Sequence, residues 1–421
     1  MIALLAIAAM LAGLFAPVPI AAQTFTVRPV VTAGQSAPGG GTFEHFSVES
    51  LPIVAPLNAR GQVAFFASLL RGAGGEGLFL ASGSGITKVT VEGDPAPGGG
   101  TISGLGRHPV PALNGDGTVA FAASVAKGKT VEGIFTASRG RIQAVALAGA
   151  VAPGIASGTL AGFDAPALND RGDVAFTATV RRGRETVEAI YYRASGRHRA
   201  AGTLTKLVAQ GDPAPTGGVF ASFGPPALNN QGSVVFAAVI EGRAVPGGIF
   251  RAQAGQLKML VGAGDDTPLG GIFMKFSERL AINDAGLVAF HAVLRNGPVA
   301  AAVFAVDTDG VRKVAATGDG APGGGTFSHF GPWPALDAAG TVGFVASVDA
   351  GPSAVAAFLA GSSGLSKIAA IGDPLPGGGT LGTFTLYPVF TLSPSGSLTF
   401  AAAPTATGQG VGGIYLATPS R

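Results

Sequence analysis

The chain contains no cysteine in 421 residues, which excludes a disulfide framework and any thiolate chemistry. Charge is scarce too. Asp, Glu, Lys and Arg make up 12% of the sequence, about half the roughly 25% of an ordinary soluble domain, so the surface must be largely neutral. A net charge of +3 sets no general basic field for nucleic acid, and the usual recognition motifs for it are missing. The apolar runs show no sustained helical period, which argues against a helical fold. Strands that alternate weakly and lack aromatic girdles argue against a membrane barrel. Past residue 22 no segment is apolar enough to span a bilayer.

What the sequence has in quantity is glycine, proline and repetition, with 68 Gly and 29 Pro. The pattern N-x-x-G-x-V-A-F returns as NARGQVAF from Asn58, NGDGTVAF from Asn114, NDRGDVAF from Asn169, NNQGSVVF from Asn229 and NDAGLVAF from Asn283. Two degenerate copies follow, DAAGTVGF from Asp337 and SPSGSLTF from Ser393. Successive starts lie 56, 55, 60, 54, 54 and 56 residues apart. A second landmark keeps the same beat, because Gly34, Gly93, Gly149, Gly211, Gly264, Gly318 and Gly372 each open a turn of the GDPAPGGGTF type. Regular spacing of this kind indicates one repeat architecture rather than separate domains.

Each unit holds four short apolar runs, for example Pro226 to Leu228, Val234 to Val239, Gly248 to Arg251 and Leu257 to Val261. Four antiparallel strands per unit is a propeller blade. Asn opens a turn by bonding its own backbone, and Gly three residues on takes the left-handed conformation. The motif therefore joins the first strand of a blade, A, to its second, B. In the V-A-F run Val and Phe share one face and pack between blades. The last unit stops after its third strand, near Leu416, while the chain opens with a lone fourth-strand run, Phe25 to Thr32. The expected fold is therefore all-β: a seven-bladed propeller of four-stranded blades, closed by the N-terminal strand completing the last blade.

Residues 1–22 are uncharged and apolar, with small residues before Gln23. They read as a signal peptide, which leaves 24–421 as one propeller, secreted or periplasmic, with no membrane span after signal removal. The repeats resemble the bacterial secreted NxxGxxxAF tandem-repeat proteins over about residues 30 to 416. That resemblance implies export and a repeat scaffold and no particular activity. Some members carry a C-terminal sorting anchor, whereas this chain ends in IYLATPSR, so release is expected. The turn from Ser393 to Gly396 also resembles that of TolB-type propellers, which bears on fold alone.

Residues repeated in every blade are poor candidates for a single site. The Gly-rich loops, such as that of Gly323, Gly324 and Gly325, lead into a strand and not into a helix N-terminus, so they read as turns and not phosphate cradles. Asp94, Asp212, Asp265, Asp319 and Asp373 read as turn residues, and Asp307-x-Asp309 lacks the further ligands of a calcium loop. The informative positions are those where one blade departs from its sisters four to six residues upstream of N-x-x-G: His108, Asp164, Glu278, Arg279, Trp333 and Tyr387. They are expected at the start of the innermost strand, around the channel mouth.

A binding module would use the aromatic residues and Arg279 for recognition. A secreted carbohydrate-active enzyme would use Asp164 and Glu278 as acid and base, Arg279 against a developing anion, and Trp333 or Tyr387 against a sugar ring. The favoured reading is a non-enzymatic binding or scaffolding module, monomeric, without cofactor or metal, whose partner is an extracellular or envelope protein or a glycan. Residues 181–206 carry seven of the 27 basic side chains. Arg181, Arg182 and Arg184 are the candidates for gripping a polyanion, against the alternative of a solvated hairpin.

Overall fold

A computed structural model of the protein describes residues 25–46, 54–72, 74–105, 110–195, 202–242, 246–376, 380–383, 391–393, 396–404 and 412–420. The 1–22 signal segment, His108 and Tyr387 lie outside the described residues. Seven antiparallel sheets form a ring of blades. Blade 4 is typical: strand A comprises Val219–Phe223 and Ala227–Leu228, B is Val234–Glu241, C is Gly247–Gln253 and D is Gln256–Gly262. Blade 7 takes Gly413–Pro419 as strand C and the N-terminal strand Phe25–Thr32 as strand D, in antiparallel register from Phe25 opposite Pro419 to Thr32 opposite Gly413. Strands from the two ends of the chain thus hydrogen-bond to each other and complete blade 7, which closes the ring.

Strand A departs from expectation. It begins at Val219, well ahead of Pro226, and is interrupted at residues 224–226 before resuming at Ala227. The cause is local: Pro225 and Pro226 have no N–H to donate to strand B. Similar breaks fall at Asp164–Ala165–Pro166 in blade 3 and Gly331–Pro332–Trp333–Pro334 in blade 6. The second segments of successive A strands touch one another around the ring, which makes them the innermost layer.

The core lies between blades. In the V-A-F run of blade 5, Val288 and Phe290 pack against Val235, Ile249 and Val261 of blade 4. The B-strand Phe stacks on the C-strand Phe, as Phe236 does on Phe250 with centroids 5.9 Å apart, and Phe220 of strand A meets Phe250 edge-on at 5.1 Å. The Gly-rich turns are packing devices. Gly325 has φ near 83°, and a Cβ there would sit 2.5 Å from the Asp349 carbonyl of the B–C turn.

The repeated Asn does more than open its turn. Asn229 Oδ1 accepts from the Gln231 and Ser233 amides at 3.0 and 2.9 Å, as expected of a turn residue. Its Nδ2 donates to the Asn283 carbonyl of the next blade at 2.9 Å. The same step runs from Asn58 to Asn114, Asn114 to Asn169, Asn169 to Asn229 and Asn283 to Asp337. Five consecutive joints therefore share one buried hydrogen bond that links neighbouring blades. Between blades 7 and 1 the device changes: Thr391 Oγ1 accepts from the Leu57 amide at 2.9 Å, and Thr391 and Thr399 both donate to the Ala55 carbonyl.

Candidate functional site

The breaks in strand A bring the sequence-selected residues together. They lie partway along the innermost strand rather than at its start, because the strand begins five residues before Asp164 and six before Glu278. In blade 3, Asp164 follows Thr159–Phe163, its amide bonds the Thr177 carbonyl at 2.9 Å, and its Oδ1 accepts from the Ala165 amide at 2.6 Å. In blade 5, Ile272–Phe276 leads into Ser277, Glu278 and Arg279. Ser277 Oγ donates to the Arg279 carbonyl at 3.0 Å, pinning that turn. In blade 6, Trp333 sits between Pro332 and Pro334.

Arg279 is the centre of the cluster. Its guanidinium carbon lies 4.9 Å from the centroid of the Trp333 ring, a cation–π contact across the blade 5 to blade 6 joint. Enclosure of this half-buried guanidinium pushes its pKa below the ordinary value, while attraction from Asp164 and Glu278 opposes that shift. Asp164 acts from blade 3, across blade 4. There the break carries Gly224, where a Cβ would sit 2.4 Å from the Glu278 carbonyl. The small residue lets the blade 5 break close onto blade 4.

Beside the cluster a cleft of about 300 Å³ opens between blades 5 and 6, lined by Lys275, Glu278, His291, Pro332 and Trp333 among others. Asp164 does not line it. His291 was not among the candidates selected from sequence, yet it faces the same cleft as Trp333. Burial drives its pKa from 6.5 down to about 4, so the imidazole is neutral at physiological pH. A signal existed: the matching B-strand positions hold Phe66, Ala122, Thr177, Ala237 and Val345.

A larger cavity, about 510 Å³, lies on the opposite face between blades 2 and 3. Most of its charged groups are committed to the fold. Arg171 pairs with Asp173 at 2.8 Å, Arg193 donates to the Ala144 carbonyl at 2.9 Å, and Asp170 accepts from the Gly115 amide at 2.6 Å. Among the described residues no three His, Asp or Glu side chains gather as metal ligands. The turn aspartates behave as local caps: Asp94, Asp212, Asp265, Asp319 and Asp373 each accept from the backbone amide three residues upstream, at 2.7 to 2.9 Å.

The basic segment is dispersed. Arg181, Arg182 and Arg184 form the exposed tip of the B–C hairpin in blade 3, with Arg182 paired to Glu185 at 3.0 Å. Arg193 lies at the far end of strand C, on the other face, and Lys206 is tied to Asp212 at 2.8 Å. Arg197 and Arg199 lie outside the described residues.

Solved structures similar to this chain are propellers. A puromycin-hydrolyzing peptidase of Mycobacterium tuberculosis matches with a TM-score of 0.50 and 13% identity, over 90% of this chain and 56% of that one. A puromycin hydrolase matches with a TM-score of 0.47 and 13% identity, over 90% and 57%. The Dos1 propeller matches with a TM-score of 0.44 and 10% identity, over 90% and 95%. This chain thus spans little more than half the length of the hydrolases, and at such identity the likeness is one of fold alone. No curated protein sequence matches it. A family profile does, over residues 21–298 and 268–418. The chain belongs to the family of unknown function DUF7453.

Proposed function

We propose that the protein is an exported, non-enzymatic binding module whose ligand is a glycan held in the cleft between blades 5 and 6. One observation carries the reading. Trp333 is met from one side by Arg279 at 4.9 Å, and that guanidinium is itself attracted by Asp164 and Glu278. An aromatic wall that is already oriented loses little freedom on binding. It is the kind of surface on which a sugar ring stacks, with Lys275, Glu278 and neutral His291 as hydrogen-bonding groups around it. The acid and base reading is less well supported, because Glu278 lines the cleft and Asp164 does not. Two carboxylates on one guanidinium do not flank a bond between them. Export rests on the uncharged apolar segment 1–22.

The test is calorimetric titration of glycans and peptidoglycan fragments against the protein and its Trp333→Ala variant. An aromatic anchor of this kind contributes at least about 2 kcal/mol to binding, so the variant should bind about 30-fold more weakly. Equal affinity for wild type and variant would remove the cleft from the proposal. Glycan turnover by the wild type that is lost in Asp164→Ala and Glu278→Ala would replace it with the enzyme reading.

A further inference from the structure

The two faces of the ring differ in what they expose. The A–B and C–D turns lie on one face, and the B–C hairpins and D–A loops lie on the other. Every large hydrophobic side chain that is strongly exposed among the described residues belongs to the second face: Leu70, Val131, Val151, Val219, Val239 and Met274. Three of these fall on one contiguous arc. Leu70 and Val131 are in the B–C hairpins of blades 1 and 2, at 48% and 67% exposure, and Val151 is in the loop from blade 2 to blade 3, at 79%.

The same arc carries the basic side chains. The B–C tips of blades 1 to 3 hold Arg71, Lys127, Lys129, Arg181, Arg182 and Arg184, all exposed, against three carboxylates at the start of strand C, of which Glu185 is exposed, Glu76 half-buried and Glu132 buried. Only Arg182 of the six has an ion-pair partner among the described residues. Backbone conformation adds an independent observation. The residue after strand B is left-handed in each described tip; blades 3, 4 and 5 use Gly183, Gly242 and Asn296 there, and blade 6 uses Ala350. Blades 1 and 2 place Arg71 and Lys127 at that position, each with φ near 58°. Long basic side chains thus occupy a site where glycine or asparagine is conformationally easier.

We propose that the B–C tips of blades 1 to 3 dock the ring on an anionic lipid surface, with Leu70, Val131 and Val151 entering the headgroup region among the cations. Basic residues alone would suit any polyanion. Exposed aliphatic side chains set between them fit a surface with an apolar interior. The site lies apart from the blade 5 to blade 6 cleft, so its fate and that of the glycan proposal are independent.

The test is co-sedimentation of the full chain with phosphatidylcholine vesicles, with and without phosphatidylglycerol, at low and high salt. Two variants decide it. Arg71→Gly with Lys127→Gly puts the residue of blades 3 and 4 into both tips, so the fold should be kept and the melting temperature unchanged or higher. Leu70→Ser with Val131→Ser removes the apolar component and keeps the charge. Each basic residue near such a surface is worth about fivefold in partitioning, so the first pair should lower binding to the anionic vesicles by roughly 30-fold. The second pair should weaken it as well. Equal binding to neutral vesicles, no binding to either, or capture by soluble dextran sulfate at undiminished strength in the Leu70→Ser, Val131→Ser variant together with vesicle binding unaffected by it, would each overturn the proposal.

Discussion

Replacing Asn229 by Asp removes one hydrogen-bond donor and leaves the turn in place, because Asp337 already fills the equivalent position and its Oδ1 accepts from the Thr341 amide at 2.7 Å. What is lost is the Nδ2 bond to the Asn283 carbonyl, 2.9 Å long and buried between blades 4 and 5. An unpaired buried carbonyl costs about 1–3 kcal/mol, and a carboxylate facing it adds repulsion, so a loss of about 3 kcal/mol at neutral pH is expected. With an unfolding entropy of about 2.1 cal/mol/K per residue, a ring of this size should melt about 4 °C lower. The introduced carboxyl, buried against an acceptor, has its folded pKa raised above the unfolded value of about 3.9. Its protonated form can donate to the Asn283 carbonyl. The deficit is therefore largest above the raised pKa and shrinks as pH falls toward about 4. Asn229→Ala loses the two turn bonds as well and should be worse at every pH. Calorimetric melts of the three proteins at pH 4.5 and pH 8 decide the matter. A shift below about 1 °C for Asn229→Asp at pH 8, or the same deficit at both pH values, would refute the idea that the amide ties one blade to the next.

The converse substitution, Asp337→Asn, supplies an amide at the joint to blade 7 and should raise the melting temperature by about 1 °C, the return on one ordinary hydrogen bond. Deleting Phe25–Thr32 leaves strand C of blade 7 as an unpaired edge and removes Val31 from the core between blades, so the melting temperature should fall sharply; an unchanged melt would sink the closure. His291 is depressed to about 4 by burial, so the unfolded chain takes up its proton near pH 6.5 before the folded one does. That contribution is fully present above about pH 6.5 and is lost as pH falls toward about 4, by up to about 3 kcal/mol. His291→Val, with the residue of blade 6, should flatten that part of a plot of melting temperature against pH.

The ring was legible because its instructions are local and repeated. Alternation in V-A-F places Val288 and Phe290 on one face whatever lies beyond it, and the unpaired runs at the two ends imply each other as partners. The direction of the Asn amide was not legible. Oδ1 answers to residues two and four places on, while Nδ2 answers to a carbonyl 54 to 60 residues away. A turn motif read alone shows only the first of these. The strand break was missed for a related reason: prolines at 225 and 226 look like the beginning of a strand when its earlier segment, Val219–Phe223, has a bulge near residue 221 that disturbs the alternation.

The candidate site was legible through departure from the repeat, and that criterion has a physical basis. A position that builds the ring must satisfy the same geometry in every blade, so Asn58, Asn114 and their counterparts are held to one residue type by one hydrogen bond. The strand-A break carries no such demand, because prolines and the turn release its backbone from the ladder. Asp164, Glu278, Arg279 and Trp333 accumulate where the scaffold asks least, and their convergence on a single guanidinium follows from the inward position of strand A. The same logic extends to the hairpin tips. Arg71 and Lys127 depart from the Gly or Asn of blades 3 to 5 at a position where departure has a conformational cost, as does Ala350 of blade 6. Ala350 meets that cost without a basic side chain, so the weight falls on charge and exposure together, on Arg71 and Lys127 beside the exposed Leu70 and Val131.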